Sequence, residues 1–136
     1  MLHLAVKRVL SILNKVLAID DDPVNRQLLE IYLLDNFRYK IANSADQALE
    51  FIGTEEFDVV VTDLNLGGNH DGIWLGKYIK SMPEFCHIPV VAFTSHSANY
   101  LESEKLNNTF DFVIEKPIIK QNFVARLKEI LVETAN

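Results

Sequence analysis

Five times along this chain a short run rich in Val and Ile gives way to a longer segment with helical spacing. That alternation constrains the fold more than any other feature, because strands separated by helices pair in parallel and are covered by those helices. The predicted strands are 16–19, 39–42, 57–62, 89–93 and 112–114. The third, FDVVVT, is a mostly apolar run of strand length around three consecutive valines, as expected of a central strand buried on both faces. The expected class is therefore α/β, a doubly wound five-stranded parallel sheet of the flavodoxin-like order 2-1-3-4-5.

The helical segments carry their own punctuation. Asp22 is placed to cap a helix with Pro23 in its first turn, and Val24, Leu28, Ile31 and Leu34 form one apolar stripe that ends near Asn36. Ser44 and Gln47 make a capping box for a helix that carries Leu49 and Ile52 inward and stops at Gly53. A loop with Gly67, Gly68 and Gly72 leads to a helix near 73–80. A further helix over about 98–106 has only a thin apolar face, because Glu102, Glu104 and Lys105 interrupt it. Phe123, Leu127, Ile130 and Leu131 mark one face of the last helix.

At 136 residues and 49% hydrophobic the chain suits one domain with one continuous core. Residues 15–136 are assigned to it, and 1–14 form a leader of uncertain structure in which Leu2, Val6, Val9 and Leu13 share one helical face. Lys7 and Arg8 break that leader, which does not resemble a signal peptide, and no apolar stretch reaches the roughly 20 residues of a membrane helix. Membrane insertion is not expected. The net charge of −6 argues against direct nucleic-acid binding through phosphate neutralisation. Cys86 is the single cysteine, so neither an intramolecular disulfide nor a thiolate zinc cluster can form, and a reducing cytoplasm is the expected compartment. It is expected to be an ordinary, partly buried thiol.

In an open parallel sheet, ligands bind at the carboxyl ends of the strands where the strand order reverses. The residues at those ends are Asp20, Asp21 and Asp22, then Asp63, Thr94 and Lys116. Asp22 is read as a helix cap. The other five are suited to phosphoryl transfer: Asp20, Asp21 and Asp63 bring three negative charges against the one positive charge of Lys116. A divalent cation would cancel the excess, and an all-oxygen donor set suits Mg²⁺ better than Zn²⁺. Asp63, alone at the end of the central strand, is the candidate nucleophile for an aspartyl phosphate, with Thr94 and Lys116 facing the transferred oxygens.

The segments VLAIDDDP, VVVTDLNLG followed by DG, VVAFTS and IEKPI resemble, in order and spacing, the receiver domain of bacterial two-component response regulators, over residues 15 to about 134. The resemblance implies that Asp63 is the phosphoacceptor, that Asp20 and Asp21 hold Mg²⁺, that Asn65 lends its backbone carbonyl to the metal, and that Thr94 and Lys116 contact the phosphoryl group. It implies a phosphohistidine donor on a sensor histidine kinase or a histidine phosphotransfer protein. It also implies output through an unidentified downstream protein, and no enzymatic activity beyond the domain's own phosphorylation and dephosphorylation. Asn65 and His96 stand at positions that tune the phosphoryl lifetime in that family.

Three departures from the family pattern stand out: Leu66-Gly67-Gly68 with one extra residue before Asp71-Gly72, Val113 where a switch aromatic is usual, and Asn108-Thr109 where Gly-Ala is common. Phe112 cannot stand in for that aromatic, since adjacent strand residues point to opposite faces. Two rivals follow from the residues. A haloacid-dehalogenase-like phosphatase would use Asp20 and Asp22, but leaves Asp63 without a role and finds its late acidic pair only as Glu129 and Glu133 on a helix. A receiver-shaped module that is never phosphorylated is the other.

Overall fold

The computed structural model describes residues 13–95 and 109–135. The helix expected over 98–106, the leader through residue 12, His96 and Asn108 lie outside the described residues.

The strands are β1 (Lys15–Ile19), β2 (Arg38–Ala42), β3 (Val59–Thr62), β4 (Val90–Thr94) and β5 (Phe112–Glu115). The described helices are α1 (Pro23–Leu33), α2 (Ala45–Thr54), α3 (Gly72–Ser81) and α4 (Lys120–Thr134). All strand pairs are parallel, in the order β2-β1-β3-β4-β5. The predicted class and order are the observed ones. Every residue of β3 and β4 is buried, as a sheet covered on both faces requires.

Two apolar layers follow from the alternation of side chains across the sheet. One joins Leu17, Ile19 and Val60 to Ile52 of α2 and to Leu75 and Ile79 of α3. The other joins Val16, Val59 and Val91 to Leu29 and Leu33 of α1 and to Phe123 and Leu127 of α4. Val113 packs against the first layer and Phe112 against the second, so the two do point to opposite faces.

Helix α1 corrects the sequence picture. Val24, Leu28, Ile31 and Leu34 do share a stripe, but it faces solvent, with Val24 69% and Ile31 55% exposed. Leu29, Tyr32 and Leu33 are the residues buried. The helix carries two apolar arcs. The sheet takes the one containing Tyr32, whose ring packs at 5.4 Å from Phe123 and whose hydroxyl donates to the Ile118 carbonyl at 2.7 Å.

The predicted caps form with one refinement. Asp22 accepts from the Val24 amide at 2.8 Å, and Ser44 Oγ accepts from the Gln47 amide at 3.1 Å. Gln47 Oε1 reaches past the cap to the Asn43 amide at 2.7 Å. Gly53 does not end α2, which runs on to Thr54 before Glu55 turns extended. Cys86, expected to be partly buried, is exposed in the turn after α3, because Phe85 and Ile88 fill the apolar space beside it. Among the described residues no helix is long and apolar enough to cross a membrane.

Candidate functional site

The carboxyl ends of β1, β3 and β5 deliver three ionisable side chains to one crevice. Asp20 follows β1 directly, and its amide donates to the Ala42 carbonyl at 3.1 Å, which extends the ladder by one residue. Its carboxylate is almost fully buried, with only 2% of the side chain exposed. Buried carboxylates need partners, and Oδ1 accepts from the Asp22 amide at 3.0 Å, with the Asn25 side chain at 3.5 Å. Arg26 Nη1 donates to the Asp20 backbone carbonyl at 3.1 Å. The first turn of α1 thus fixes Asp20 from two sides.

Asp63 follows β3, its amide bonded to the Ile19 carbonyl at 3.1 Å, and its side chain is 16% exposed. Oδ1 accepts from the Asn65 amide at 3.2 Å, while Thr62 Oγ1 donates to the Asp63 carbonyl at 2.9 Å. Behind it the loop closes through Gly72, whose amide donates to Leu64 at 2.9 Å. A Cβ on Gly72 would stand 1.9 Å from the Asp63 carbonyl oxygen, so no other residue fits there.

Lys116 lies just beyond β5, positioned by its amide bond to the Thr94 carbonyl at 2.8 Å. Its ammonium stands 3.4 Å from Asp20 Oδ2 and 3.4 Å from Asp63 Oδ2, and 4.8 Å from the centre of the Phe93 ring. These are loose contacts, longer than a tight charge-assisted bond, so the lysine spans the two carboxylates without being sequestered by either. The Lys116–Pro117 peptide bond is cis. Thr94, at the end of β4, is buried. A cavity of about 170 Å³ opens beside Asp20 and Lys116, between Leu28 and Tyr32 of α1 and Pro117 and Ile118.

Of the residues singled out in the sequence, the fold therefore brings Asp20 and Asp63 to the same ammonium, that of Lys116, with Thr94 bonded to the Lys116 amide. Asp21 and Asn65 are exposed at the rim. Asp21 Oδ2 accepts from the Gly67 amide at 2.9 Å, across the crevice mouth. Among the described residues no three carboxylate, imidazole or thiol side chains are gathered closely enough to enclose a metal ion. The donors nevertheless fit a hard dication in kind: they are carboxylate oxygens, with a negative excess that one lysine does not cancel. Asp22 only caps α1, and Glu129 and Glu133 lie on α4.

Sequence reasoning passed over Asn25, Arg26 and the Gly67 amide. The first two were legible as polar residues one turn into a helix that starts at the crevice. A backbone amide contributed from 46 positions away has no sequence signal.

A family model described as response regulator receiver domain matches residues 16–128. The sensor histidine kinase RcsC of Salmonella typhimurium is 34% identical over 107 residues, which cover 76% of this chain and 11% of that protein. The signal transduction histidine-protein kinase BarA of Escherichia coli is 28% identical over 117 residues, covering 83% of this chain and 13% of its own length. The chain thus spans only a small part of the curated relatives it matches. Among solved structures, NtrX from Brucella abortus superposes with a TM-score of 0.81 at 25% identity, over 91% of this chain and 28% of that one. A CheY-like receiver domain protein from Methanospirillum hungatei gives 0.78 at 22% identity, over 90% and 97% of the two chains.

Proposed function

Since the chain belongs to the response regulator receiver domain family of two-component signalling, we propose that it is a phosphorylation-dependent switch that accepts a phosphoryl group onto Asp63. The observation that carries this reading is the bridge made by Lys116, 3.4 Å from both Asp63 and Asp20 at the ends of separate strands. The donor is a phosphohistidine of a sensor kinase or phosphotransfer protein. A carboxylate oxygen of Asp63 forms a bond to phosphorus as the phosphorus–nitrogen bond of the donor breaks, giving an acyl phosphate and a free imidazole.

Lys116 has the position to neutralise charge on the transferred oxygens, and the Thr94 hydroxyl to donate a hydrogen bond to one of them. Asp20, Asp21, Asp63 and the Asn65 carbonyl are the groups that would hold Mg²⁺. When bound, the ion would offset the negative excess and polarise the phosphoryl group. Asp20 is kept in place by the Asp22 amide, and the Asp63 carbonyl by Thr62 and the close approach of Gly72.

Residues 15–136 are taken as the receiver unit, acting in the cytoplasm and signalling through a downstream protein that distinguishes the two phosphorylation states. Intact-protein mass after incubation with acetyl phosphate or phosphoramidate tests the chemistry. Mg²⁺-dependent gain of one phosphoryl group, labile to hydroxylamine and lost in Asp63→Ala, is the expected result. An adduct that persists in Asp63→Ala would refute the site.

A further inference from the structure

The crevice holds its three carboxylates by different means. Asp20 and Asp63 both face Lys116, whereas Asp21 is drawn toward the loop after β3, its Oδ2 accepting the Gly67 amide at 2.9 Å. The fit at Gly67 is close: a Cβ there would lie 3.1 Å from the same oxygen, so glycine lets the backbone approach the carboxylate. The neighbouring Gly68 has φ of 89°, a conformation that favours glycine, and turns the loop back toward α3.

At the far end of that loop His70 stacks on Trp74, with ring centres 3.5 Å apart and planes 12° from parallel. Asp71 accepts from the Trp74 amide at 2.8 Å. Trp74 is the only tryptophan in the chain.

We infer that the Gly67 amide is a positioning group which parks Asp21 away from the Asp20–Lys116–Asp63 cluster, so that engaging Asp21 with a divalent cation releases the 64–71 loop. This inference rests on the reading of the crevice as a Mg²⁺ site. Oδ2 cannot keep its full hydrogen bond to Gly67 while it turns toward the cluster, so the amide and the cation compete for that oxygen of Asp21. Loss of the bond frees the middle of a short loop whose far end holds the His70–Trp74 stack. Occupancy of the crevice is thereby conveyed to the surface of α3 before any phosphoryl group arrives.

The test is a Mg²⁺ titration of the full chain, followed in parallel by calorimetry and by Trp74 fluorescence, for the native protein and for Gly67→Pro, which lacks the amide donor. In the native chain the emission change should share its midpoint with the heat. Gly67→Pro should bind Mg²⁺ about three- to tenfold more tightly, as expected when one competing hydrogen bond is removed, and its emission change should shrink. Equal or weaker binding by Gly67→Pro would overturn the inference.

Hydrogen exchange at the Gly67 amide of the native chain provides a measure that needs no variant. Mg²⁺ should accelerate it, and unchanged or slowed exchange would count against the proposal. Heat without any change in Trp74 emission would remove the coupling and leave the Mg²⁺ site standing. Absence of heat would remove both.

Discussion

Lys116 illustrates how a single residue can serve two opposed requirements. Its ammonium, 3.4 Å from each of Asp20 and Asp63, lets two carboxylates on separate strands face one crevice, yet it occupies space near which a cation would sit. Lys116→Ala leaves those carboxylates facing each other with no cation between them, so Mg²⁺ should bind about three- to tenfold more tightly. The same variant should acquire the phosphoryl adduct about tenfold or more slowly, since a positive charge that faces the transferred oxygens is lost. Calorimetry and the time course of intact mass measure the two effects separately. A variant that both bound and reacted more weakly would show that the lysine acts only by holding the crevice together. Asp20, Asp63 and Lys116 were legible because each stands within two residues of the end of a short apolar run. The role of Gly67 was not, because the bond to Asp21 depends on the path of a loop and not on a residue type.

At the scale of elements, α1 shows what periodicity can and cannot supply. Its sequence contains two apolar arcs, one with Leu28 and Ile31 and one with Leu29 and Tyr32, and a helical wheel does not say which meets the sheet. The answer lies in Phe123 and the Ile118 carbonyl, partners of Tyr32 that reach it from the other end of the chain. Leu33→Ala should therefore cost about 2–5 kcal/mol by emptying a fully buried site. Ile31→Lys, two positions earlier, should change stability by no more than about 0.5 kcal/mol. Urea midpoints of the two variants check this, and comparable losses would mean that the outer stripe is covered. The strands were easier to read than the helices, since β3 and β4 are buried on both faces and so form unbroken apolar runs. Only their ends moved: β3 begins at Val59 and not at Phe57, whose ring packs below the sheet.

For the whole molecule, a cluster of charges ties the amino end of the sheet together, opposite the crevice. Glu55, the C-cap of α2, pairs with Lys15 of β1 and, at 3.5 Å, with Lys40 of β2. The hydrogen bond from Lys15 is the chief reason that its carboxyl titrates below the ordinary range. A carboxyl whose pKa is lowered by folding adds stability that is complete above the unfolded value of about 4.3 and disappears as pH falls through the folded value. Glu55→Gln should accordingly flatten the acid limb of the stability profile and leave its slope near neutrality unchanged, as read from urea midpoints across that range. An unaltered acid limb would mean that the pair is solvated in both states. Lys40 has a second consequence. Among the described residues β2 is the last strand on its side, and Arg38 and Lys40 are its exposed residues, alternating with Tyr39 and Ile41. An unpaired strand edge is a template on which another chain can crystallise its own backbone into fibrils, and charge set at every second position frustrates that growth. The two cations thus act as gatekeepers against amyloid-like stacking of one copy upon the next.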